Sequence, residues 1–207
     1  MKILKYNLGS LSVNCYLLIN EQTNKAVAID VGGDAGFLKL EEIKKGFKIT
    51  DILLTHGHFD HIAGTGEFYK KGVKIYMGEK ELDFIKDNSL NLSYMFNIDI
   101  EKFEAIGVKE GDVLSLNGID IKIIETPGHT KGSVSYIVED KIFDGDVLFE
   151  GGFGRIDFPT GNAKTLIESC KKLFNYDGFI LYPGHGEETK VEDEKLTNPI
   201  LSYDRYK

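Results

Sequence analysis

Three of the five histidines in this 207-residue chain fall within six residues, His56-Gly57-His58-Phe59-Asp60-His61. Imidazole nitrogen and carboxylate oxygen suit zinc, iron or manganese. Three imidazoles and an acid at this spacing are crowded for one tetrahedral ion, so the pattern suggests two. A fourth histidine lies in Glu125-Thr-Pro-Gly-His129-Thr-Lys-Gly and the fifth in Phe179-Ile-Leu-Tyr-Pro-Gly-His185-Gly. Asp144 and Asp146, on either side of Gly145, are both of the right type to bridge metals. Asp144 is read as the turn residue. Asp30 either orients a ligand from behind or caps the Val31-Gly32-Gly33 turn.

These side chains need a scaffold that delivers them to one place. All five histidines follow apolar, strand-like runs, and loops at one end of a scaffold are where sites assemble. Runs such as KILKYNL, NCYLLIN, KAVAID, DILLT, KIYM, IDIKIIET, SVSYIVE, KIFD and FILY are bounded by Gly, Asn, Asp or Pro. They read as strands, with a hairpin joining 113–116 to 119–125 across Asn117-Gly118. Helical spacing marks 163–174, where Leu166, Ile167, Cys170, Leu173 and Phe174 share a face. Weaker helical patterns cover 34–45, 62–71, 79–86 and 191–196. Residues 88–103 lack period and carry Tyr94, Met95 and Phe96; they read as a loop over a site.

Composition narrows the partners. Thirty-three acidic against 25 basic residues give a formal charge of −8, which disfavours nucleic acid. The length fits one domain spanning 1–207. Cys15 and Cys170 form no CxxC, and the opening MKILKYNLGS has no long apolar run. Both point to a reducing cytoplasm, with no membrane partner. Gly151-Gly152-Phe153-Gly154 matches neither a dinucleotide fingerprint nor a P-loop and reads as a tight turn.

Taken in order, Asp30, THGHFDH, TPGHTKGS, GDVLFEGGFGR and YPGHG with a trailing TNP resemble the metallo-β-lactamase superfamily. Within it the chain is most similar to short glyoxalase-II-like (hydroxyacylglutathione hydrolase-like) enzymes. The resemblance implies an α/β fold: a four-layer αββα sandwich of two mixed sheets flanked by helices, with a dinuclear site at one edge. It implies that His56, His58 and His129 bind one metal, that Asp60, His61 and His185 bind a second, and that Asp146 bridges them. Zinc is the expected ion, with iron or manganese as alternatives. Two divalent ions opposed by Asp60 and Asp146 leave an excess positive charge that favours a bound hydroxide. That hydroxide would attack the carbonyl of a small-molecule thioester, with Asp60 available to orient it and the thiolate leaving. No Ser or Cys nucleophile is then required.

Departures from the longer glyoxalase II enzymes bear on the substrate. Only 22 residues follow His185, so the helical region that contacts glutathione there is largely missing. Arg155 keeps a positive charge that could meet a substrate carboxylate, and Asp157 replaces an aromatic residue; an Arg155–Asp157 loop ion pair is the competing role. Tyr94, Met95, Phe96 and Phe153 are expected to line the acyl or thiol pocket. The nearest rival activity is a mononuclear-iron persulfide dioxygenase, which shares HxHxDH and a Gly-Arg-x-Asp-Phe segment. A β-lactamase is disfavoured because the resemblance places a carboxylate, Asp146, where those enzymes use another residue. A nuclease is disfavoured by the charge.

Overall fold

The computed structural model describes residues 1–203, and it places the strand-like runs in two facing sheets. The first comprises β1 (Lys2–Leu8), β2 (Val13–Asn20), β3 (Lys25–Ile29), β4 (Lys48–Leu54), β5 (Lys74–Gly78) and β6 (Ile106–Val108), side by side in chain order. Its first two pairings are antiparallel and the remaining three parallel. Further strands follow as β7 (Val113–Leu116), β8 (Ile119–Glu125), β9 (Val134–Val138) and β10 (Lys141–Gly145). A small hairpin, β11 (Leu148–Phe149) with β12 (Gly152–Phe153), precedes β13 (Ile180–Pro183) and β14 (Thr189–Lys190). The second sheet runs β14-β13-β10-β9-β8-β7, with β10 and β13 its one parallel pair. The β7–β8 hairpin turns at Asn117-Gly118, where both residues take positive φ, as a two-residue turn requires.

Strand alternation builds the layers. In β2, Tyr16 and Leu18 point between the sheets, where they join Leu53, Ile123, Tyr136 and Phe143. Cys15, Leu17 and Ile19 point outward into a second core with Leu38 and Phe68. A third core covers the outer face of the other sheet, built on Leu166, Cys170 and Leu173. Both cysteines are buried in these outer cores and unpaired.

Helices α1 (Ala35–Lys45), α2 (Phe59–Ile62), α3 (Thr65–Tyr69), α4 (Ser93–Phe96), α5 (Ala163–Leu173), α6 (Val191–Thr197) and α7 (Ile200–Tyr203) complete the described chain. The sequence pattern over 62–71 predicts one helix, but the structure has two short ones, α2 and α3. They part at Ala63-Gly64, where Gly64 N–H bonds the Val31 carbonyl instead of continuing a helix. The 79–86 pattern becomes a 3₁₀ helix, Glu79–Ile85. Asn162 caps α5 by accepting from Thr165 N–H. No described helix is long and apolar enough to cross a membrane.

The sheets are bonded to each other at one edge. Val134 N–H donates to Thr55 O at 2.9 Å, Asn14 N–H to Gly184 O at 2.7 Å, and the Tyr16 hydroxyl to Pro183 O at 2.8 Å. This edge is where β4, β8, β10 and β13 end, and where their loops meet.

Candidate metal centre

Each strand end delivers its own part of the cluster. Thr55 closes β4, and the chain opens into His56-Gly57-His58 before α2 presents Asp60 and His61. The loop after β8 carries His129, the turn after β10 carries Asp146, and the Pro-Gly turn after β13 carries His185. All seven residues singled out in the sequence come together here. Three groupings lie close enough to hold an ion: His56, His58 and His129; His56, His61 and Asp146; Asp60, His61 and His185.

In the first grouping, His58 Nδ1 lies 3.1 Å from His56 Nε2 and 2.9 Å from His129 Nε2. Three nitrogens bound to one zinc at about 2.05 Å would stand roughly 3.3 Å apart, so the donor set fits a single ion. In the other grouping, His61 Nε2 is 3.7 Å from Asp60 Oδ2, and His185 Nε2 is 3.2 Å from that same oxygen. Asp146 is divided between the two. Its Oδ1 is 3.3 Å from His61 Nε2, and its Oδ2 is 3.5 Å from His129 Nε2. His61 Nε2 and Asp146 Oδ1 are both buried and make no hydrogen bond, the state expected of donor atoms aimed at a cation.

Titration behaviour follows from the packing. Burial, reinforced by neighbouring imidazoles, pushes His56 well below its ordinary value, and burial takes His58 down to about 3. Burial likewise lowers His129. These three rings are neutral at physiological pH, with a lone pair free for a ligand bond. Burial opposes the charged form of His61 too, but Asp146, Asp30 and Asp60 outweigh it and raise the ring well above the usual range. Asp146 is held far down by His61 and His129 against its own burial.

The supporting contacts are equally specific. His129 Nδ1 donates to Arg155 O at 2.7 Å, which turns Nε2 toward the cluster. Asp30 stands at φ 54°, just past β3, and its two oxygens accept from Thr55 N–H and Thr55 Oγ1. Asp144 is buried and accepts from Leu148 N–H, so it shapes the turn that carries Asp146.

Glu81 was not singled out from the sequence. It is fully buried beneath the cluster, with Oε2 accepting from Gly57 N–H at 2.9 Å and Oε1 from Gly132 N–H at 2.8 Å. One carboxylate thereby joins the loops that carry His56, His58 and His129. Burial raises its pKa to about 7 against the pull of these bonds. The only sequence signal was an acid among Leu82, Phe84 and Ile85 in a short amphipathic stretch.

A cavity of about 360 Å³ opens on the cluster, lined by His58, Asp60, His129, Asp146 and His185 together with apolar walls. Phe96 and Phe153 stand among those walls, with Arg155 beside them. Tyr94 does not: it is 63% exposed and lies outside the lining, as does Met95. Successive residues of a one-turn helix point about 100° apart, so α4 turns Phe96 against Phe59 (ring centroids 4.5 Å) and its neighbours to solvent. Leu11, Phe59, Leu92, Phe149 and Phe158, not anticipated, also line the cavity.

The family model for the metallo-β-lactamase superfamily matches residues 8–185. The chain belongs to that superfamily. It is 37% identical over 199 residues to hydroxyacylglutathione hydrolase GloC of Haemophilus influenzae, covering 91% of this chain and 92% of that one. Among solved structures it is similar to the BLEG-1 B3 metallo-β-lactamase (TM-score 0.90, 31% identity, 97% of this chain, 100% of the other). TTHA1623 in a di-iron-bound form gives a TM-score of 0.85 at 29% identity, covering 95% and 98%. ETHE1 from Myxococcus xanthus gives 0.78 at 28%, covering 96% and 84%. The two mixed sheets flanked by helices are thus the metallo-β-lactamase fold, an α/β architecture whose members bind divalent metals.

Proposed function

We propose that the protein is a dinuclear-metal hydrolase of thioesters. The observation that carries this is the division of Asp146, one oxygen toward His129 and the other toward His61. In this reading His56, His58 and His129 hold one ion, Asp60, His61 and His185 hold the second, and Asp146 is shared. Zinc fits the nitrogen-rich first set, and iron or manganese would be accepted by the same donors. When bound, the ions supply a water of lowered pKa and polarise the acyl carbonyl.

The chain's own groups do the rest. Asp60, which lines the cavity with His185, would accept a hydrogen bond from the attacking water in this reading. The cavity walls orient the acyl group and exclude bulk solvent. Cys15 and Cys170 are excluded as nucleophiles, since burial raises both thiols far from the thiolate range. A thiolate is a good leaving group and needs no general acid. The similarity to a hydroxyacylglutathione hydrolase supports an S-acyl thiol as substrate.

Metal quantification on the purified protein, combined with a panel of glutathione and non-glutathione thioesters, tests this. Two ions per chain with thioester turnover is the expected result. Because ETHE1 and a B3 lactamase share the fold, the panel includes a persulfide under oxygen-uptake recording and a β-lactam. One iron per chain with oxygen uptake, or β-lactam turnover exceeding that of every thioester, overturns the proposal.

A further inference from the structure

The trailing Thr197-Asn198-Pro199 motif has a physical role that the hydrolytic chemistry does not use. Asn198 is 2% exposed, and its Nδ2 donates to Gly152 O at 2.8 Å and to Glu194 Oε2 at 2.7 Å. Glu194, also buried, accepts from Gly151 N–H at 3.1 Å and from the Thr189 hydroxyl at 2.8 Å. Asn198 Nδ2 also reaches Phe149 O at 3.4 Å, so two side chains of α6 and its C-terminal cap hold the β11–β12 hairpin at Phe149, Gly151 and Gly152. A two-stranded hairpin this short is not stable by itself. The residues it presents are Phe149 and Phe153, and both line the cavity beside the metal cluster. Phe149 lies edge-on to His185, with ring centroids 6.3 Å apart.

The basic group on the same wall already has a partner. Arg155 is the only Lys or Arg that lines the cavity among the described residues. Its Nε and Nη2 donate to the two oxygens of Asp157 at 2.9 and 2.7 Å, and its guanidinium lies 4.1 Å from the Phe158 ring centroid. Bidentate pairing and stacking set the direction of the guanidinium, on a pair whose side chains are 63% and 62% exposed.

We infer that the clamped β11–β12 hairpin is the specificity wall of the site, and that it selects substrates whose thiol portion is apolar and uncharged. Asn198 and Glu194 are positioning residues: they touch no substrate and act through Phe149 and Phe153. The inference rests on the thioesterase reading for its substrate, but the wall can be tested without turnover.

The test is calorimetric titration of the metal-loaded protein with benzyl mercaptan and with glutathione. Both offer a primary thiol to the cluster, so their difference reads how the surroundings of that thiol are received. Benzyl mercaptan should bind at least about tenfold more tightly, equivalent to about 1.4 kcal/mol. Asn198→Ala should erase most of that preference and raise KM for the benzyl thioester about tenfold. Its kcat on a small acetyl thioester should change less than about twofold, with metal content intact. Asp157→Asn, which frees Arg155, should strengthen glutathione binding. Phe149→Leu, on the hairpin itself, decides the matter if Asn198→Ala fails to fold. Equal or tighter glutathione binding by the wild type, or an unchanged preference in both hairpin variants, overturns the inference. Absence of all thioester turnover overturns the proposed activity instead, and the thiol titration still decides the wall.

Discussion

Asp30 Oδ2 accepts from Nδ1 of His61 at 2.8 Å, with both side chains buried. That bond fixes the proton on Nδ1 and leaves Nε2 aimed between Asp60 and Asp146. Asp30 is thus the outer support of the second proposed metal position. Removing such a support costs roughly 10- to 100-fold in metal affinity. Asp30→Ala should therefore lose its second ion first. In a chelator titration followed by metal analysis, the variant passes through a one-ion state at chelator concentrations that leave the wild type with two. Simultaneous loss of both ions would refute the assignment.

His58 makes two close nitrogen-to-nitrogen contacts within the cluster, 3.1 Å to His56 and 2.9 Å to His129. His58→Ala should abolish metal at the first position and lower kcat/KM for S-lactoyl or S-acyl thiols by on the order of a thousandfold or more. The circular dichroism spectrum should be unchanged, because His58 stands on a loop and the three apolar cores do not use it. Retained turnover would refute the assigned site.

What could be read in advance was whatever acts through local order. His56 directly follows a strand, His58 stands one glycine further on, and His129 and His185 each follow a Pro-Gly turn after a strand, so their delivery to the sheet edge is written within a few residues. Alternation in β2 likewise separates Tyr16 and Leu18 from Cys15, Leu17 and Ile19 before any partner is known. Glu81 illustrates the opposite case. Its partners, Gly57 and Gly132, lie 24 and 51 residues away, and a backbone N–H carries no sequence signature. Asn198 holds Gly152 across 46 residues by donating to its backbone carbonyl, which carries no signature either. Tyr94 and Phe96 could not be told apart because the direction of a side chain on one isolated turn depends on what the turn docks against. Phe59 decides it.

Glu81 carries a pH signature. Burial favours its neutral form and the two N–H bonds its charged form; burial prevails, so the folded pKa is about 7 against an ordinary value of 4.5. The folded state then holds a proton that the unfolded chain releases at lower pH. The contribution to stability is complete below about 4.5 and is lost as pH rises through about 7. It amounts to about 3 kcal/mol. Glu81→Gln cannot titrate, so the difference in unfolding free energy between wild type and variant should shift against the wild type from pH 5 to pH 8. Denaturant melts of the metal-free proteins across that range measure it. Parallel profiles would show that Glu81 stays charged throughout.

Gly184 separates Pro183 from His185, and its φ is not in the left-handed region, so space rather than conformation demands a glycine here. A Cβ built on it would stand 2.4 Å from Asp146 Oδ1 and 2.6 Å from His61 Cε1. The backbone cannot retreat easily, because Gly184 N–H donates to Gly145 O at 2.8 Å and Gly184 O accepts from Asn14 N–H at 2.7 Å. The methyl group of Gly184→Ala must therefore displace the carboxylate that the two proposed metal positions share. Overpacking of this kind costs about 1–3 kcal/mol, and the displaced Asp146 should lower metal occupancy at both positions. Gly36→Ala is the matched control. It sits in α1 with nothing within 4 Å of its Cβ position and should stabilise the fold by roughly 0.5–1 kcal/mol. Thermal melts and metal analysis of the two variants check both. Full metal occupancy in Gly184→Ala would mean that Asp146 is not shared between the two positions.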